Sequence, residues 1–315
     1  MLLLDWLLDS DPAIRWQVLR DLADAPAATV AAERARVATE GWGARLLVLQ
    51  GDDGQWEGGA LFPARWFDTA REDRPEGQPW TATAYSLVAL QDFGVDPDDD
   101  RVRRAVAQVR EHCRWEHAGQ PFFAGEVEPC INGMVVALAA YFDQDVTEVV
   151  ARLVGEQLED GGWNCEVENG STRSSFHTTI RVLEGLLAHE RVSGGSAESI
   201  AARRAGEEYL LERSLFRRKS TAEVVDPAWL YFSFPTRWHY DVLRGLEHFR
   251  AAGDPPDPRV QEAIDLLRSK EQSDGSWLLE NTHPGAVHFA LEDGDGRPSR
   301  WNTLRALRVL RWYEQ

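Results

Sequence analysis

A short phrase recurs three times along this chain: a glutamine, an acidic or polar turn, a glycine, one more residue and a tryptophan. It reads Gln50-Gly51-Asp52-Asp53-Gly54-Gln55-Trp56, then Gln157-Leu158-Glu159-Asp160-Gly161-Gly162-Trp163, then, shorter, Gln272-Ser273-Asp274-Gly275-Ser276-Trp277. Internal repetition of this kind constrains the fold more than any local propensity. Each phrase follows a run with apolar residues at helical spacing, and its glycine supplies a left-handed stop.

A second class of segment alternates with the first. It is apolar nearly all round and carries a small residue followed by Leu: Ala89-Leu90, Ala137-Leu138, Gly185-Leu186, Gly245-Leu246 and Ala306-Leu307. A helix apolar on every side must be buried. Inner helices are expected at 11–24, 80–92, 130–142, 176–190, 237–251 and 300–313. Outer helices are expected at 27–50, 101–113, 146–158, 197–213 and 258–271. No stretch reads as a strand ladder. The fold class is therefore all-α, an (α/α)6-type toroid in a single domain, 1–315. Residues 1–41 read as a HEAT-like helical cap or a degenerate first repeat, with the phrase-bearing repeats in 42–315.

Composition excludes several classes of function. The net charge is −18 over 315 residues, which argues against nucleic acid as a partner. Apolar residues are 43%, enough for a core. No apolar run reaches the length of a membrane span, and the start, Met1-Leu2-Leu3-Leu4-Asp5-Trp6, lacks the basic region and cleavage site of a secretory signal. The three cysteines, Cys113, Cys130 and Cys165, are too few for a disulfide framework, and a cytoplasmic location is expected.

The Gln…Gly-x-Trp phrase resembles the QW motif of squalene and oxidosqualene cyclases, and the helix pairing resembles the wider superfamily of terpenoid cyclases and protein prenyltransferase β-subunits. The resemblance covers about residues 42 to 315. It implies a toroid and makes Trp56, Trp163 and Trp277 structural staples. It also implies a hydrophobic, isoprenoid substrate in a central cavity. Asp96-Pro97-Asp98-Asp99 matches the Asp-x-Asp-Asp acid of class II cyclases in letters, but it lies at the opposite rim and reads as a helix cap. Glu292-Asp293-Gly294-Asp295-Gly296 reads as a loop. No Asp-Asp-x-x-Asp magnesium motif of class I synthases is present.

Protein prenyltransferases hold Zn²⁺ with Asp-x-Cys at one inner-helix start and His at the next. By resemblance the metal ligands here are Glu128, Cys130 and His177, with Glu in place of Asp and the His one residue late. Cys165 is an alternative sulfur ligand. A thiolate, an imidazole and a carboxylate would leave zinc's fourth position open. Cys113 reads as packing.

Other polar and aromatic residues gather where inner helices begin. Trp80, Tyr85, Asn132, Arg181, Arg300, Trp301 and Asn302 are the candidate substrate contacts. His239, Tyr240 and Asp241 are the candidate catalytic groups. Rim arginines suit a diphosphate, and an aromatic wall suits a carbocation. The leading expectation is an isoprenoid enzyme, zinc-assisted and prenyltransferase-like, with a partner subunit conceivable. The alternatives are a metal-independent cyclase or isomerase, and a non-catalytic toroid that binds lipid or peptide.

Overall fold

The computed structural model describes residues 2–74 and 76–315; Met1, at the head of the apolar start, lies outside the described residues. In chain order the helices are α1 (Leu3–Leu8), α2 (Pro12–Asp21), α3 (Ala27–Ala35), α4 (Gly41–Val48), α5 (Thr83–Phe93), α6 (Asp100–His112) and α7 (Pro129–Tyr141). They continue as α8 (Thr147–Gly155), α9 (Phe176–Ser193), α10 (Ala197–Leu211), α11 (Val242–Ala252), α12 (Gln261–Ser269) and α13 (Arg300–Tyr313). Among the described residues the named strands are β1 (Trp277–Leu278) and β2 (Pro298–Ser299), which pair antiparallel with Trp277 opposite Ser299. The chain is all-α in substance.

The chain forms two compact units. One comprises Met1–Glu126, Tyr141–Asp145 and His283–Leu291; the other comprises Val127–Ala140, Val146–Thr282 and Glu292–Gln315. In the first unit, α2 packs on α3, and the Trp16 indole donates to the carbonyl of Phe93 at the end of α5, 2.9 Å away. In the second, α9 packs on α10, and α11 on α13.

Both helix types appear with the expected burial. In α7, the run Ile131–Ala139 is buried throughout. In α6, only the stripe Val102, Ala105, Val106 and Val109 is buried, as a polar surface helix requires. Two boundaries differ from expectation. The segment 27–50 breaks into α3 and α4 because Asp11 caps two helices at once. Its Oδ1 accepts from Ala13 N at 2.9 Å and its Oδ2 from Trp42 N at 2.8 Å, so a new helix starts at Gly41. The segment 237–251 becomes helical only at Val242, because Asp241 is extended and caps the helix behind it.

The repeated phrase is a repeated set of bonds. The indole N–H of Trp56, Trp163 and Trp277 donates to the carbonyl of Leu46, Leu153 and Leu267, at 2.8, 2.6 and 2.8 Å. Each acceptor lies in the last turn of α4, α8 or α12, where helix carbonyls lack intrahelical partners. The backbone N–H of each tryptophan donates to a threonine hydroxyl in the following buried helix: Thr83 at 3.1 Å, Thr179 at 3.0 Å and Thr303 at 2.9 Å. Gly54, Gly161 and Gly275 all have φ between +76° and +93°, where a side chain would be strained.

The glutamines obey the repeat in two copies. Gln50 Nε2 donates to Gly54 O and Ala105 O, both at 2.9 Å, and Gln157 Nε2 to Gly161 O and Ala202 O, both at 2.7 Å. Each thus ties its turn to the next amphipathic helix. In the third copy the turn bond runs from Gln272 N to Ser276 O, matching Gly51 N to Gln55 O, so Glu271 holds the glutamine's place. Gln272 lies one residue late and donates to Lys270 O instead.

Candidate functional site

Two glycines set the geometry of the site. A Cβ on Gly133 of α7 would lie 2.5 Å from Arg181 O of α9, and one on Gly185 would lie 2.3 Å from Gly133 O. Only bare backbone permits this approach. Nearer the start of each helix lie Cys130, one turn before Gly133, and Thr178, two turns before Gly185. Between them reaches the short loop after Trp163, closed by a bond from Ser175 N to Trp163 O at 2.8 Å. It brings in Cys165, and Thr178 Oγ1 lies 3.5 Å from Cys165 Sγ.

Glu128, Cys130 and Cys165 form one cluster, each offering a ligand atom within 4.8 Å of the others. Cys130 Sγ lies 3.5 Å from Glu128 Oε2. The Cys130 thiol is pushed up by its hydrogen bond to Cys165, by burial and by the Glu128 charge; Cys165 is held below the usual thiol range by the Cys130 and Thr178 donors. Two sulfurs and a carboxylate are a donor set that zinc accepts, and three protein ligands leave a fourth position open.

His177 is not in that cluster. Its Nδ1 accepts a hydrogen bond from Tyr240 N at 2.8 Å. Burial, and then the nearby Arg244 charge, lower its pKa to about 4, so it is neutral near pH 7. A neutral imidazole that accepts at Nδ1 carries its proton on Nε2, which is then a donor and no ligand. The ring sits among Trp229, Trp238 and His239, with centroids 5.4 to 5.9 Å away. Cys165 thus stands where His177 was expected.

The other candidate groups are placed as follows. Asp241 caps α11: Oδ1 accepts from Arg244 N at 2.7 Å and Oδ2 from Ser233 N at 3.1 Å. With both oxygens on backbone amides it acts as a structural cap. The Asp before an apolar run was the sequence signal for this. Tyr240 is buried, and its hydroxyl donates to Leu215 O at 2.6 Å. The His239 ring stacks on Trp238, centroids 3.7 Å apart. Asn302 donates to Phe232 O and Leu278 O and accepts from Arg305, which ties helix start to loop.

Arg181 pairs with Glu184 at 3.1 Å, and Arg244 clasps the same carboxylate with two bonds of 2.7 Å. Burial opposes ionisation of Glu184, but the Arg244 and Arg181 charges hold it at about 2. Arg181 is thereby engaged in the core. Asn132 is fully buried in α7, and Arg300 opens α13. Trp80 and Tyr85 belong to the first unit. There the Trp80 indole donates to Pro284 O at 3.0 Å, and the two rings meet edge-on. The Asp96–Asp99 run caps α6 through Asp99, as expected.

The run Glu292–Gly296 is a loop, as expected, and its first residue is held at the start of α13. Glu292 Oε1 accepts from Ser299 Oγ at 2.5 Å and from Trp301 N at 3.3 Å. Burial raises its carboxyl to about 7 against these two donors, with Asp293 raising it further and Arg300 lowering it. Trp301 stacks on Phe234 with centroids 4.4 Å apart.

No family model matches this chain, and no curated protein does. Among solved structures it is similar to the type II terpene cyclase MstE from Scytonema, determined in complex with geranylgeranyl dihydroxybenzoate. The alignment covers 95% of this chain and 85% of that chain, at 16% identity and a TM-score of 0.42. That likeness assigns no activity to this chain. Among the described residues no helix is long and apolar enough to cross a membrane.

Proposed function

We propose that this chain is an enzyme of the terpenoid-cyclase and prenyltransferase kind, acting on a hydrophobic, isoprenoid substrate within an (α/α)6-type toroid. The observation that carries the reading is the threefold tryptophan staple. Indole to helix-end carbonyl and backbone N–H to threonine recur at Trp56, Trp163 and Trp277. A phrase that keeps its bonds in three places is a motif rather than a coincidence of letters, and it is the motif on which the resemblance rests.

Glu128, Cys130 and Cys165 would hold a zinc ion. When bound, zinc would lower the pKa of a coordinated thiol or water and so supply a nucleophile. Thr178 would orient the Cys165 sulfur, and the aromatic group around His177 would keep water from the reacting end of an isoprenoid.

A cyclase or isomerase that needs no metal is a second reading, favoured by Glu292, a half-buried carboxyl beside a stacked aromatic pair. The test for both is equilibrium binding of geranylgeraniol and geranylgeranyl diphosphate, followed by tryptophan fluorescence. Saturable binding that octadecanol does not displace is expected. Absence of saturable binding by either compound would overturn the isoprenoid reading.

A further inference from the structure

We infer that the cavity between the second half of α9 and α11 is a binding site for phosphate, free or carried as a monoester, held by Arg191 and Arg250. The cavity measures about 220 Å³. That is below the roughly 300–1,000 Å³ of sites for drug-sized ligands, so its occupant is small. Leu187, Ala188 and Ala251 give it apolar walls, and the two arginines give it guanidinium groups. Arg191 is exposed and Arg250 half-buried, so an anion has a way in from solvent. Arg191 lies about 20 Å along the axis of α9 from Thr178, so the site is independent of the sulfur cluster and of the isoprenoid reading.

The acids that line the cavity are already matched. Glu184 is clasped by Arg244 and also meets Arg181, and Glu247 pairs with Arg305 at 2.5 Å. Behind them Glu190 accepts two bonds from Arg203, at 2.7 and 3.0 Å, and Glu207 pairs with Arg203 and His248. Arg191 and Arg250 are left over. Among the described residues the Arg191 side chain donates to Ala251 O and forms no ion pair. The Arg250 side chain forms neither a hydrogen bond nor an ion pair among the described residues, and its Nε is buried. An arginine serving only the end of its own helix would donate to the last carbonyls. Arg250, in the last turn of α11, donates to none of them.

Two guanidinium groups that face one cavity with no acid to offset them repel each other. Burial, and then the Arg250 and Arg203 charges, hold Arg191 below the ordinary guanidinium value, with Glu190 opposing. A doubly charged oxyanion in the cavity would offset both arginines. A guanidinium carries five N–H donors in a planar fork, and Arg191 spends one nitrogen on Ala251 O. Such forks match the oxygens of phosphate and bind them two at a time. The apolar walls would face the carbon side of a monoester.

Equilibrium dialysis of the full chain against radiolabelled inorganic phosphate and radiolabelled glycerol 3-phosphate, at about 0.15 M sodium chloride, tests this. One site per chain should saturate. Affinity should fall about tenfold or more in Arg250→Gln and in Arg191→Gln. It should hold in Arg110→Gln, which removes the same charge from an exposed position on α6. Tighter binding of glycerol 3-phosphate assigns the site to a phosphorylated small molecule, and equal or weaker binding assigns it to free phosphate. Phosphate should also raise the urea midpoint of wild type where sodium chloride of equal ionic strength does not, a readout that needs no variant to fold. No saturable binding of either compound by folded wild type would overturn the proposal. So would wild-type affinity in both folded arginine variants, or a urea midpoint that phosphate and chloride move alike.

Discussion

The backbone N–H of Trp163 donates to the hydroxyl of Thr179, 3.0 Å away, across the loop that carries Cys165. The same hydroxyl donates back to Trp163 O at 3.3 Å. Both groups are buried, so losing the threonine oxygen leaves an amide unsatisfied. Thr179→Val should cost about 1–3 kcal/mol, read as a lower urea midpoint, whereas Thr179→Ser should stay close to wild type. A valine variant as stable as wild type would deny the staple its structural weight.

Arg244 and Glu184 join α11 to α9, with the guanidinium almost fully buried. Removing one partner of a buried pair leaves a buried charge without its ion-pair partner. Glu184→Gln should therefore destabilise by about 3–5 kcal/mol, and Arg244→Met with it should recover part of the loss. The carboxyl's pKa, about 2 in the folded chain, lies below its ordinary 4.5. Its contribution is thus complete above about pH 4.5 and is lost as pH falls toward 2. Urea midpoints across that range should decline in wild type and vary less in the double variant.

Glu292 predicts the opposite slope. Its folded pKa of about 7 exceeds the ordinary 4.5, so the folded chain binds the proton more tightly. Stability from this group is greatest at low pH and declines as pH rises through about 4.5 to 7. Glu292→Gln should abolish that part of the decline. The comparison is the difference in urea midpoint between the two proteins at each pH. A difference that does not change with pH would contradict the assigned pKa.

The sulfur cluster makes a prediction about metal stoichiometry. Elemental analysis of tag-free protein should find one zinc per chain. Cys130→Ser and Cys165→Ser should each lose it, and His177→Ala should keep it. Loss in His177→Ala with retention in Cys165→Ser would restore the ligand set expected from resemblance.

The helices were legible because burial writes a period into the sequence. The all-round apolar run 131–139 and the striped α6 differ in pattern before they differ in structure. The threonines were not legible, because loops of unequal length separate each from its tryptophan. Trp163 and Thr179 are 16 residues apart, but Trp56 and Thr83 are 27 apart. Fixed-spacing motifs cannot find such pairs. Cys165 rather than His177 lies beside Glu128 and Cys130, because the Gly133–Gly185 approach and the closed loop bring its sulfur in, and the Tyr240 amide takes a nitrogen of the histidine. Glu292 was masked by its glycine neighbours. Its burial comes from α13 and Ser299, which sequence places beyond the acidic run without indicating contact.

The most direct test of the account is product analysis. Purified protein, with and without added zinc, would be incubated with geranylgeraniol and with geranylgeranyl diphosphate plus a small thiol, and the extracts resolved by gas chromatography and liquid chromatography with mass detection. The account predicts a new isoprenoid product: a cyclised or double-bond-shifted isomer without metal, or a thioether that requires zinc and is lost in Cys130→Ser. Unchanged substrates under every condition, from a folded protein that shows no saturable binding of either compound, would contradict it.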